Sequence, residues 1–180
     1  MNIARVAVVV GNPHAGGRTT AVAEAVGAAV VRDERADGAA VTTYELAHIA
    51  AHLFEWGNRD VVALTEQVAA ADVIIAACPT YKASYTGLLK AFFDNYGNDA
   101  LAGRVAVPVM VGAAAHHTLA VEVHLRPLLV ELGACVPARG LYVLESQIPD
   151  LHSVIAAWSA TAVPLICSAS AAVHSTVEHR

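Results

Sequence analysis

RVAVVVGNPHAGGRTT, from Arg5 to Thr20, decides how this chain folds. The run Val6–Val10 is apolar at every position, the pattern of a parallel strand buried on both faces and not the alternation of a strand with one wet side. A glycine-bearing loop follows, and then a segment rich in alanine. A strand feeding such a loop and a helix is how an α/β protein builds an anion site, because the first backbone N–H groups of the helix lack partners and point at the ligand. Gly11, Gly16 and Gly17 let the backbone approach an anion, and Asn12 lies within the same turn. Arg18, Thr19 and Thr20 add a guanidinium fork and two hydroxyls at the helix start. Two familiar phosphate loops do not fit. Gly11 and Gly16 have the spacing of a nucleotide-hydrolase loop, but Gly17 stands where its lysine belongs and Arg18 comes one position late. The dinucleotide pattern GxGxxG is missing, and Pro13 has no N–H to give. A mononucleotide phosphate is the reading these residues favour, with a purely structural strand-to-helix turn as the alternative.

Outward from this stretch, apolar runs alternate with amphipathic segments, the pattern of a doubly wound α/β domain: a parallel sheet with helices on both faces. Strands are expected at Arg5–Gly11, Ala40–Leu46, Asp72–Cys78, Arg104–Val111 and Ala134–Tyr142. Helices are expected at Thr19–Val31, Arg59–Ala70, Thr86–Tyr96, Leu119–Leu132 and Leu151–Ala172, with Pro164 bending or splitting the last. Ligands in such sheets lie beyond the carboxyl ends of the strands. The loops Gly11–Arg18, Cys78–Tyr85 and Gly112–Thr118 should therefore share one rim.

The 180 residues suit one domain with a single core, here residues 1–180, and neither linker nor repeat is evident. With 56% hydrophobic residues and a mean hydropathy of +0.51, the composition suggests surfaces buried against other subunits. A homo-oligomer is expected. The net charge is −5 and no basic stripe forms, which argues against nucleic acid and anionic membranes as partners. Cys78, Cys135 and Cys167 are odd in number and widely spaced, which suits reduced thiols in a cytoplasmic protein and gives no zinc spacing. The N-terminal apolar run lacks the flanks of a signal peptide. Leu151–Val177 carries no Asp, Glu, Lys or Arg and could span a bilayer by length, but its many small residues favour close helix packing in a soluble oligomer.

After the third strand comes CPTYKASYTGLLKAFFDNYG. Pro79 should end the ladder, and Thr80, Tyr81, Lys82 and Ala83 then offer backbone amides, a phenol and a cation, a set suited to a planar ring with polar edges. Packing on the next helix is the competing role for Tyr81 and Tyr85. Leu88, Leu89, Phe92 and Phe93 have the spacing of a core or interface face. After the fourth strand, Gly112, Ala113, Ala114 and Ala115 are small enough for a flat ligand to reach the backbone and for a second ring to stack. His116 and His117 are adjacent and without a third clustered ligand, so no metal is expected.

Together these loops resemble the NAD(P)H-dependent FMN reductase family of flavodoxin-like proteins. Within it they are most similar to the group that supplies reduced flavin to two-component monooxygenases of sulfonate assimilation. Gly17, Arg18, Thr19 and Thr20 match the family's phosphate loop. Pro79, Tyr81, Gly87, Leu89, Lys90 and Asp94 match its flavin-ring loop, and the Gly112 loop, Leu119–Glu122, Leu125 and Pro127 match a third motif. The resemblance runs from about Val6 to Gln147. It implies a five-stranded sheet of order 2-1-3-4-5 that binds FMN and takes hydride from NADPH or NADH with no side chain as catalyst. It further implies a homodimer or homotetramer and a monooxygenase partner. Gly17 replaces a common hydroxyl residue and His14 a common arginine, which implies modest affinity for a flavin that is released as substrate. A π-type turn near Val123–His124 is also implied, against an ordinary amphipathic helix as the alternative. A quinone or azo reductase with bound FMN and an electron-transfer flavodoxin share the fold and stay open.

Overall fold

The computed structural model describes residues 3–177. Five strands form one parallel sheet: β1 (Arg5–Val10), β2 (Ala40–Glu45), β3 (Val73–Pro79), β4 (Val105–Gly112) and β5 (Leu141–Leu144), in the order β2-β1-β3-β4-β5. The helices are α1 (Arg18–Val30), α2 (Arg59–Ala69), α3 (Gly87–Phe93), α4 (Arg126–Glu131) and α5 (Leu151–Val177). Both the sheet order and the two helical layers agree with the reading of the sequence.

The unbroken apolar runs follow from burial on both faces. On one side, Val6, Val8 and Val10 of β1 pack with Ile75 of β3 and Val107 of β4 against α1 and α5. On the other, Ala7 and Val9 join Ile74, Cys78 and Met110 beneath α2, α3 and α4. Every second residue serves one layer, so neither face of β1, β3 or β4 can be polar. Burial also pushes the Cys78 thiol up to about 12, leaving it inert. The three cysteines are free thiols.

One expectation needs correction. β5 does not begin at Ala134. Cys135 forms an isolated bridge with Val105, and the regular ladder starts only at Val109↔Leu141. Ala106 donates its N–H across to the Cys135 carbonyl, so two residues further on the next donor towards β5 would be residue 108. Residue 108 is proline and has no N–H, and Pro137 on the facing segment lacks one as well. A Cβ on Gly140 would come 3.1 Å from the Pro108 carbonyl oxygen, so the chain passes over this gap on a glycine. Of the two outcomes expected for Pro164 in α5, bending or splitting, the split does not occur. The helix continues through Pro164, an exposed position whose carbonyl accepts from Ser168 Oγ at 2.8 Å.

By length and composition this last helix could cross a membrane. It packs instead on α1 and β4, with Ile155, Val163, Ile166 and Cys167 buried in the core.

The sheet's carboxyl rim is set by one close approach. Gly11 donates its N–H to the Ala77 carbonyl at 2.8 Å and accepts from Thr86 Oγ1 at 2.6 Å. The same hydroxyl caps α3 by accepting from the Leu89 N–H at 3.1 Å. Fully buried Leu89 then sits directly over Gly11, where a Cβ would lie 2.5 Å from Leu89 Cβ and 3.1 Å from its Cα. Since that contact involves backbone and not a flexible tip, Gly11→Ala should lower stability by roughly 2–3 kcal/mol in equilibrium urea unfolding. Gly87→Ala, where the added Cβ meets nothing within 4 Å, is the matched control and should be neutral or slightly stabilising.

Candidate functional site

Three loops meet at this rim. The first leaves β1 at Gly11 and enters α1, whose N-cap Gly17 brings no side-chain cap and whose first turn has no acidic residue. By contrast α2 is capped by Asn58, which accepts from Asp60 and Val61. The start of α1 is thus left to outside acceptors. Gly16 takes a φ of 68°, and Asn12 Oδ1 accepts from the His14 N–H at 3.1 Å to shape the turn.

Two carboxylates reach this loop from other strands. Glu45, the last residue of β2, accepts on Oε1 from the Gly16 N–H at 2.9 Å and from Thr20 Oγ1 at 2.7 Å. Its Oε2 is buried with no partner. Glu145, the first residue after β5, pairs with Arg18 at 2.9 Å, an exposed bridge that stabilises little by itself. Thr19, expected to offer a hydroxyl, is only 2% exposed. A cleft of about 610 Å³ opens beside the loop between Gly16, Gly17, Thr20, Glu24, Glu45 and His48.

The second loop is a tight hairpin. Pro79 ends the ladder as expected, as its last residue: it pairs with Val111, and the Thr80 N–H donates to the Val111 carbonyl at 2.7 Å. Tyr81 and Ser84 then exchange backbone hydrogen bonds of 2.9 and 3.1 Å around Lys82 and Ala83. Both central residues are left-handed, with φ of 50° and 63°. A two-residue turn of this hand is normally made by Asn-Gly, so two residues with Cβ atoms carry local strain of about 1 kcal/mol each at this point. Tyr81 is 47% exposed and Lys82 is exposed.

The third loop is pressed against the second. Gly112 is buried, and a Cβ there would strike Tyr142 Oη at 2.0 Å and come 3.0 Å from Thr80 Oγ1. Thr80 Oγ1 is itself buried without a partner. Tyr142 Oη donates to the Ala114 carbonyl at 3.3 Å and props the loop from β5. Ala113 is exposed and Ala114 half-buried. His116 and His117 turn their rings to one another with centroids 4.1 Å apart, and among the described residues no three metal-ligating side chains gather.

Beyond this loop, Val121–Leu125 forms a π-turn: the Arg126 N–H bonds to the Val121 carbonyl, five residues back. The expected irregularity is there, with Val123 and His124 exposed on it. Glu122 lies inside the turn and fastens it to the interrupted end of the sheet. Its carboxylate accepts from Arg126 Nε at 2.5 Å and from the Gly140 N–H at 2.6 Å, while the guanidinium also donates to the Val136 and Ala138 carbonyls. The carbonyls freed where β5 fails to pair are thus met by one arginine.

The residues expected for the site come together: Asn12, Gly17, Arg18 and Thr20 on the first loop, Pro79 to Ala83 on the second, Gly112 to Ala114 on the third. Glu45, Glu145 and Tyr142 were missed. Each lies on or just past an outer strand, and extending the carboxyl-end rule to β2 and β5 would have found all of them.

A family model described as NADPH-dependent FMN reductase matches residues 4–148. The chain belongs to that family. It is 41% identical over 88 residues to an FMN reductase (NADPH) of Escherichia coli K12, covering 49% of this chain and 46% of the relative. It is 34% identical over 84 residues to the NADH-dependent FMN reductase SfnF of Pseudomonas putida, covering 47% and 45%. The chain thus spans about half the length of the curated relatives it matches. Among solved structures, an apo NADH:FMN oxidoreductase superposes with a TM-score of 0.72 at 27% identity, over 89% of this chain and 90% of the other. A Streptococcus pneumoniae flavodoxin, 19% identical with a TM-score of 0.57 over 87% and 99%, shares the fold.

The residues present fit FMN as this family uses it. The orphaned Thr80 hydroxyl and the exposed Ala113 suit a flat ring with polar edges lying close to backbone, while Gly112 makes room for Tyr142 beneath them. The uncapped start of α1 suits its phosphate.

Removing Arg126 would leave two carbonyls without their donor and Glu122 without its ion pair. Arg126→Ala should therefore cost roughly 2–3 kcal/mol in urea unfolding. The Glu122 carboxyl is raised by burial, but the Arg126 pairing and the Gly140 N–H outweigh this and hold it below its ordinary 4.5. Its contribution is accordingly present above about pH 4.5 and lost as the pH falls below that value. Glu122→Gln should flatten that acid limb of the stability profile relative to the wild type.

Proposed function

We propose that this chain is an NAD(P)H:FMN oxidoreductase that supplies reduced flavin to a partner monooxygenase. The observation carrying this reading is the convergence of the three loops on one rim within a chain that matches the FMN reductase family over residues 4–148. FMN, when bound, supplies the chemistry by accepting a hydride from the nicotinamide. The chain's own contribution is positioning and charge. Asn12, Gly17, Arg18 and Thr20 hold the phosphate end, with the buried Thr19 contributing its backbone N–H and not its hydroxyl, and Pro79, Thr80, Tyr81, Lys82 and Ala83 hold the ring. The Lys82 cation offsets negative charge that develops on the reduced ring. Gly112, Ala113 and Ala114 leave the other ring face open to the nicotinamide.

That open loop favours an enzyme over an electron carrier, since nothing aromatic in Ala113–Ala115 would screen a ring from a second substrate. Relatives named as using NADPH and as NADH-dependent support either nicotinamide as donor. The three free thiols support a cytoplasmic enzyme.

Self-association is part of the same reading. Leu119 just before the π-turn, Val123 on it and Val130 on α4 are 60, 58 and 53% exposed. We assign them to a contact between copies in a homodimer or homotetramer.

Arg18→Ala should weaken FMN 10- to 100-fold by fluorescence titration, because a fork to phosphate contributes roughly 1.5–3 kcal/mol. Steady-state NAD(P)H oxidation should be faster with free FMN than with a quinone as acceptor. The opposite order would assign the chain to the quinone reductases. Val123→Asp should turn an oligomer at micromolar concentration into a monomer by light scattering, and a wild-type monomer would defeat the assembly.

A further inference from the structure

We infer that Glu45 is a built-in competitor for the phosphate loop and sets this enzyme's preference between a phosphorylated and an unphosphorylated flavin. The inference rests on the flavin reading above and deepens it.

The argument starts from two donors. The Gly16 N–H and the Thr20 hydroxyl belong to the loop at the start of α1, and both donate to one oxygen of Glu45, at 2.9 and 2.7 Å. These are the groups that a phosphate at this helix start would need. Carboxylate and phosphate oxygens are acceptors only, so a donor pointed at one is withdrawn from the other. The two anions also repel, the phosphate monoester carrying about −1.5 to −2 near neutral pH.

Glu45 is held where this matters. It ends β2, beside β1 in the sheet, in register with Val10 one residue before the loop begins. Its second oxygen is buried with no partner. A carboxylate with one oxygen satisfied and the other stranded is only partly compensated for lost hydration. It is poised to leave when a stronger acceptor arrives.

The neighbourhood reinforces the effect. Glu24 lies on the same cleft, held by Thr43 Oγ1 at 3.1 Å, and Arg18 is engaged by Glu145 at 2.9 Å. The loop therefore meets the phosphate already bonded to carboxylates, and FMN enters by exchange. A flavin without phosphate, such as riboflavin, demands no exchange at this end. Glu45 thereby lowers FMN affinity selectively, narrows the gap between FMN and riboflavin, and speeds release of the phosphorylated product.

The test is flavin fluorescence titration of the full chain with FMN and with riboflavin, in the wild type and in Glu45→Gln, which keeps the shape and removes the charge. Glu45→Gln should bind FMN at least tenfold more tightly and riboflavin within twofold of the wild type. FMN affinity that is unchanged or weaker in a folded Glu45→Gln overturns the inference. So does an equal gain for both flavins, which would mean a general change in the site. If the variant does not fold, the wild type decides alone. FMN bound less than tenfold more tightly than riboflavin supports the competitor, and a larger preference overturns it. Should the wild type bind neither flavin, the functional reading itself fails, a result distinct from all of these.

Discussion

The seating of Leu89 on Gly11 is the constraint on which the rim depends. It brings the start of α3 against the end of β1, and Thr86 locks the contact by bonding the Gly11 carbonyl while capping α3. Without that approach the first and second loops would lie on separate elements with only the sheet between them. With it, the loop proposed for the phosphate and the hairpin proposed for the ring are fixed to one short segment of buried backbone. A site for a small ligand needs its few polar groups held to within a fraction of an ångström, and buried backbone holds them better than mobile side chains do.

The fold was legible because the apolar runs are long and unalternating. Val6–Val10 and Val105–Val111 could only be strands covered on both sides, and the glycine loop after the first fixed which end would carry ligands. The sheet's edge was less legible. Pro137 and Gly140 in ACVPARGLYVL hint at an interruption but do not show that pairing stops after Cys135 and resumes at Leu141, because the cause lies partly in another strand, at Pro108. A propensity read along one segment cannot register a donor missing from its neighbour.

The site divided in the same way. The shared rim of the three loops and the irregular turn at Val121–Leu125 were legible from local chemistry and from resemblance. Glu45, Glu145 and Tyr142 were not, since each acts on a loop distant in sequence. Glu45 is 25 residues from Thr20, and Glu145 is 127 from Arg18. Such pairs are visible only once the strand order places the ends of β2 and β5 beside the loops. The charge balance around the loop before α1 is for that reason a tertiary property.

The break in β5 carries a consequence for how the molecule avoids unwanted association. β5 is an outer strand, and an outer strand with a long row of unpaired amides is a template on which another chain can add. Here the regular strand is four residues long, the segment before it is diverted by prolines on both sides of the gap, and two of its carbonyls are engaged by Arg126. Little backbone is left to recruit a foreign strand along that border. The irregularity at Pro108 thus doubles as protection against edge-to-edge aggregation.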